Sequence, residues 1–161
     1  MLWPDQDDQL SDFMHQLSCT HVHRWHKAHD SRGQGHVYQG RFKSFPIQDD
    51  SPFYTVCRYV ERNPIAAGLV ERAEDWVWGS AWGDPHAADR RTLLLSQWPV
   101  ARPNDWLKRV NQPLTHAEIE ALRCCVDRGG PYGRESWVAH ATATLHLEHT
   151  QHPRGRPPKS R

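Results

Sequence analysis

Tyr59 and Asn63 stand four residues apart in the run Tyr54-Thr55-Val56-Cys57-Arg58-Tyr59-Val60-Glu61-Arg62-Asn63-Pro64. The run reads as a short helix, and this spacing stacks the two side chains on one face, with Cβ atoms roughly 5–6 Å apart. A phenol beside a neutral oxygen ligand suits a nucleophilic tyrosine whose target phosphate must lie close to a metal ion. An unperturbed phenol ionises only near about pH 10, so it needs such help to attack. The same pair also fits a plainer role, an aromatic packed in a core and an asparagine closing the helix before Pro64. Spacing alone leaves both roles open.

The helix that must carry this pair has a start signal at Asp50 or Ser51 followed by Pro52. Phe53, Val56, Cys57 and Val60 give it a core face, and Pro64 and Gly68 are expected to end it. Upstream, Leu10, Phe13, Met14, Leu17, His21 and Trp25 recur at helical spacing. They predict an amphipathic helix opened by Asp7 or Asp8, with Arg24 and Lys27 on or near its polar side. Gly33 and Gly35 break it. Arg41-Phe42-Lys43-Ser44-Phe45-Pro46-Ile47 alternates polar and apolar residues and predicts a strand, with Pro46 placing it at an edge or strand end.

Further along, Trp76, Trp78 and Trp82 form a dense aromatic patch, suited to packing or to stacking unpaired bases. Gly83–Thr92 reads as a polar linker. Thr115 and Glu118 form a capping-box pattern before the apolar face of Ile119, Leu122 and Val126. Gly129-Gly130-Pro131 breaks that helix, and another is expected over Arg134–Leu147 around Trp137. Two helices about such a break also fit a helix-turn-helix-like DNA reader. The last residues are too rich in proline and charge to fold alone.

A chain of 161 residues fits one domain, or a small domain with an appendage. The mean hydropathy of -0.82 is strongly polar, so a core must lean on the eight tryptophans. A formal net charge of +1 does not advertise nucleic acid, but its distribution does. Lys and Arg cluster in Arg32–Lys43, Arg102–Arg109 and Arg154–Arg161, and such patches bind phosphates despite a neutral sum. The four cysteines lack any metal or disulfide spacing and read as reduced thiols. No apolar run is long enough to span a membrane and no signal peptide is evident, so the expected location is cytoplasmic, in association with the nucleoid.

Three ordered blocks carry a family resemblance: Gly35-His36-Val37-Tyr38-Gln39-Gly40-Arg41-Phe42-Lys43-Ser44, then Cys57 to Pro64, then Ala67-Gly68-Leu69-Val70. With Trp76 and Ser80 following, the chain resembles the REP-associated tyrosine transposases of the single-tyrosine HUH class. The likeness extends weakly through Leu93–Pro99 and the Arg-Gly-Arg-Pro tail. It implies metal-dependent nicking and strand transfer on single-stranded, hairpin-forming repeat DNA. Tyr59 falls at the place of the nucleophile and Asn63 at that of a metal ligand, while Tyr54 lies on another face and suits packing. A tyrosyl oxygen attacks a DNA phosphate and leaves a 5′-phosphotyrosine and a free 3′-hydroxyl, without ATP. A divalent ion, Mg²⁺ or Mn²⁺, polarises the scissile phosphate. Arg41, Lys43 and Arg58 are candidate phosphate contacts, with solvated surface charge as the plain alternative. Arg154-Gly155-Arg156-Pro157 resembles an AT-hook core, placing Arg154 and Arg156 in a narrow minor groove. Relatives include monomers and dimers, so a homodimer is open.

The resemblance also implies a His-hydrophobe-His strand just before the segment matching Leu2-Trp3-Pro4. The expectation is therefore a chain lacking the metal histidines and the strands around them, either a start placed too late or a truncated relic. His21-Val22-His23 fits the pattern literally, but on a helix positions i and i+2 diverge by about 200° and do not clasp one ion. The expected fold class is α+β, a helix-rich remnant of a ferredoxin-like antiparallel sheet with an exposed apolar face and a helical C-terminal extension. Residues 1–82 would be the C-terminal part of a catalytic domain and 83–113 a linker and connecting segment. Residues 114–149 would form a helical, DNA-binding extension and 150–161 a disordered basic tail. A non-catalytic DNA-binding module is the rival function, and a His-rich metal-binding protein a third.

Overall fold

The computed structural model describes residues 1–6, 8–82 and 95–152. The chain divides into two compact units, Met1–Lys43 and Ser44–Arg161. The first holds one long helix, α1 (Gln9–Ala28). The second holds α2 (Ser51–Ala66), α3 (Trp106–Asn111), α4 (His116–Arg128) and α5 (Glu135–Thr144). Single 3-10 turns lie at Ala73–Asp75 and Glu148–Thr150.

In α1 the apolar stripe runs as its spacing predicts, yet no residue of the helix is buried. Phe13, Leu17 and Trp25 are between 43% and 50% exposed, so the stripe marks a face without making a core. Asp8 stands at the N-cap position with φ 70 and makes no side-chain cap. The Gln9 side-chain oxygen instead accepts from the Asp5 and Gln6 N–H groups at 2.9 and 3.3 Å.

The second unit builds its core on α2. Asp50 caps the helix through Ser51 N at 2.7 Å, and Pro52 occupies the first turn, where a missing N–H costs nothing. Phe53 and Cys57 pack with Ala73, Ala81, Trp106 and Val110, and Ile47, Tyr54, Ile65, Trp98 and Val100 close around them. Trp106 and Val110 come from the 95–113 stretch, so the described part of the expected connecting segment supplies two of the most buried side chains. α4 opens with the predicted capping box, in which Glu118 N donates to Thr115 Oγ1 at 3.2 Å and Thr115 N to Glu118 Oε2 at 2.7 Å. It ends on Gly129 at φ 73, a left-handed position where glycine carries no Cβ penalty.

Three expectations require correction. The first is the sheet: among the described residues there is no strand, so the chain is mostly helical and no ferredoxin-like remnant is present. Within the alternating Arg41–Ile47 run, Ile47 forms an isolated parallel bridge with Tyr132 and no ladder extends it. Tyr132 N donates to Pro46 O at 2.8 Å and Gln48 N to Tyr132 O at 3.0 Å. Alternation sets which side chains share a face, but a strand also needs a neighbouring backbone ladder. The second is the end of α2, which passes through Pro64 to Ala66. Pro64 removes one late helical bond, and closing bonds from Ala67 N to Asn63 O, Gly68 N to Ile65 O and Leu69 N to Pro64 O, each 2.9 Å, offset it. Asn63 is therefore inside the helix and does not close it. The third is Val60, expected on the core face and found 46% exposed.

Candidate functional site

The side chains of α2 divide into distinct jobs. Phe53, Val56, Cys57 and Glu61 are buried. The buried Glu61 carboxylate accepts from Trp106 Nε1 at 2.7 Å and from Ser80 Oγ at 2.6 Å. Burial without such donors would be costly, so this pairing ties α2 to α3 and to the segment after the 3-10 turn. Cys57 lies in the same interior, where burial, reinforced by the neighbouring Glu61 charge, pushes its thiol up to about 12. It is a packing thiol and not a nucleophile.

Arg58 and Arg62, one turn apart, face the end of α3. Arg58 Nε donates to Arg109 O at 3.1 Å, and its Nη2 reaches Gln112 O and Pro113 O at 3.5 and 3.3 Å. Its Nη1 also pairs with Glu118 at 3.4 Å, with both side chains largely shielded. Arg62 Nη1 donates to Val110 O and Asn111 O at 3.4 and 2.7 Å. Val110 O and Asn111 O are among the carbonyls a helix end leaves without intrahelical donors, and Gln112 O and Pro113 O belong to the segment that follows it. The two guanidinium groups act as a C-terminal cap on α3 delivered from α2. Asn111 completes the joint: its Oδ1 accepts from Ala73 N at 3.0 Å and its Nδ2 donates to Glu74 Oε2 at 2.8 Å. Burial raises the Glu74 carboxyl, but the Asn111 bond and Arg72 outweigh it and hold the group below its ordinary value.

Tyr59 and Asn63 take no part in this framework. Tyr59 is half-buried, Asn63 is exposed, and neither side chain makes a hydrogen bond with a described residue. Tyr54 behaves differently. Its hydroxyl donates to Ala101 O at 2.6 Å and its ring packs near Phe53, Trp98 and Trp106, in the packing position its spacing suggested.

The remaining candidates are scattered. Arg41 and Lys43 are exposed and belong to the first unit. Arg58, expected at phosphate, is the capping group just described. Arg154 and Arg156 lie outside the described residues. His21 and His23 sit on α1, where His21 Nδ1 is hydrogen-bonded to the Tyr38 hydroxyl at 2.8 Å. Among the described residues no three of His, Cys, Asp and Glu gather into a metal-binding group. Asn63 is one neutral oxygen donor, and a divalent ion held by it alone does not match any usual protein site. The described side chains thus do not fit a resident divalent ion.

Glu61, Arg62, Asn111 and Trp106 are the residues whose roles a linear reading misses. Their partners lie 19 to 49 positions away, and no local pattern encodes those pairings. Among known proteins, no family model, no curated sequence and no solved structure matches this chain.

Proposed function

We propose that this chain binds single-stranded or hairpin-forming repeat DNA as a transposase-like protein, with Tyr59 in the place of the strand-transfer nucleophile. One observation carries the reading: on α2, Arg58, Glu61 and Arg62 are engaged in holding the fold, while Tyr59 and Asn63 are not. A tyrosine kept outside the hydrogen-bonded framework is available to a ligand. The residue blocks around it resemble those of the tyrosine transposases.

In the reaction, the Tyr59 oxygen forms a bond to phosphorus as the bond from phosphorus to the 3′-oxygen breaks. The phenol proton leaves and the 3′-oxygen gains one, so the phosphodiester energy is kept in the phosphotyrosine. A divalent ion supplies charge stabilisation in such chemistry. The described side chains do not form a site for it. That same observation favours a second reading, a DNA-binding module without nicking activity.

A nicking assay on a hairpin oligonucleotide with Mg²⁺ or Mn²⁺ decides between them. Cleavage that vanishes in Tyr59→Phe supports the nuclease, and retarded DNA without cleavage supports the binding module. Cleavage that survives Tyr59→Phe removes the nucleophile assignment. Metal binding with no DNA retardation removes the DNA reading altogether.

A further inference from the structure

A second set of groups, separate from Tyr59, lies within the first unit. His21, Trp25 and His29 follow one another at i, i+4 along α1 and its C-cap, and Tyr38 folds back to join them. The ring centroids are 5.6 Å apart for Tyr38 and His21, 6.0 Å for His21 and Trp25, and 3.9 Å for Trp25 and His29. The last pair is stacked, with 21° between planes. His29 is held there because its Nδ1 is hydrogen-bonded to Trp25 O at 2.9 Å, and His21 is held by Tyr38. All four residues are exposed, Trp25 at 43% and Tyr38 at 49%. Aromatic rings that pack a core are covered; these are ordered and open.

The charge around them is one-sided. Residues 21–43 carry Arg24, Lys27, Arg32, Arg41 and Lys43 against one acid, Asp30. Residues 1–20 carry four aspartates and no Lys or Arg. The rings and the cations thus fall in the same half of the unit. A simple solvated helix face accounts for the cations, and Lys27 in the last turn also suits the helix dipole. Neither accounts for an ordered row of exposed rings among them. Rings that present stacking surface within a cationic field match the two needs of an unpaired strand, a place for bases and neutralisation of phosphates.

We propose that the Tyr38–His21–Trp25–His29 row is a base-stacking platform for an unpaired DNA strand, with Arg24, three residues after His21 on α1, against its phosphates. This rests on the DNA reading above but not on Tyr59. It takes the stacking role from Trp76, Trp78 and Trp82 and gives it to α1.

The test is fluorescence anisotropy with a labelled oligothymidine of about 12 nucleotides on the full chain. Trp25→Ala is expected to weaken binding roughly 5- to 150-fold, the loss seen when one stacked base is left without its ring. Trp25→Phe should recover most of it, and Trp78→Ala, a control at an exposed tryptophan of the other unit, should leave binding unchanged. A salt titration of wild type and Arg24→Ala should give a shallower slope for the variant. Wild-type affinity in Trp25→Ala, or no binding of oligothymidine by wild type, overturns the platform. The two failures separate cleanly: Tyr59-dependent nicking with unaltered Trp25→Ala affinity sinks the platform and keeps the DNA reading. Trp25-dependent binding without nicking does the reverse to the nuclease.

Discussion

Helices α1 and α2 both show an apolar stripe at helical spacing, yet only one of them makes a core. α2 buries Phe53, Val56 and Cys57 and places Glu61 against the indole of Trp106. α1 buries nothing, although Leu10, Phe13, Met14, Leu17 and Trp25 are at least as apolar. The difference lies in what each helix meets. Around α2 gather a tryptophan-rich loop, the short helix α3 and the 3-10 turn at Ala73–Asp75. Within its own unit, α1 is joined along its side by Tyr38, whose hydroxyl is bonded to His21. Amphipathicity states which face would gain from burial, and burial itself needs a partner surface.

The comparison breaks most visibly at Trp106. It is 2% exposed and donates to the only described buried carboxylate, so Trp106→Ala removes a core ring and leaves Glu61 short of a donor. We expect a loss of about 3–5 kcal/mol, enough to unfold much of the second unit, read as the midpoint of urea denaturation. A shift no larger than that of an exposed tryptophan such as Trp78 would dismiss this core.

A smaller effect is expected at Arg58. Removing its bonds to the end of α3 and to Glu118 in Arg58→Ala should cost about 1–3 kcal/mol, through the loss of charge-assisted hydrogen bonds. The same denaturation series should find Tyr59→Phe within about 0.5 kcal/mol of wild type, since its hydroxyl holds nothing in place. If Arg58→Ala instead leaves stability alone and weakens DNA binding, the guanidinium belongs to phosphate and the cap is incidental.

The smallest change should come from α1. Leu17→Ala, at a residue 50% exposed, should alter the unfolding free energy by about 0.5 kcal/mol or less. A cost comparable with that of Trp106→Ala would mean that the stripe of α1 is covered in solution, and the contrast between the two helices would collapse.

Much of the helical layout is legible in the residue order. The periodicity around Leu10–Trp25, the Asp50-Ser51-Pro52 start, the Thr115–Glu118 box and the Gly129 stop each act over one or two turns. The Arg41–Ile47 run shows where that reach ends, because a pairing partner for a strand is supplied from elsewhere in the chain. The candidate site divides in the same way. That Tyr59 and Asn63 share a face follows from their spacing. That Arg58, between Cys57 and Tyr59, turns toward α3 depends on carbonyls some fifty residues on.

By itself, then, the sequence determined which segments coil, where most of them start and stop, and which side chains ride together on each helix. Those are consequences of backbone sterics and hydrogen bonds within a few residues. Only the tertiary structure decided which apolar faces are buried, that α2 continues through Pro64, and that Arg58, Glu61 and Arg62 hold the fold while Tyr59 and Asn63 stand apart. Those outcomes depend on groups distant in the chain meeting at hydrogen-bond distance, where an unpaired buried donor or acceptor would be costly.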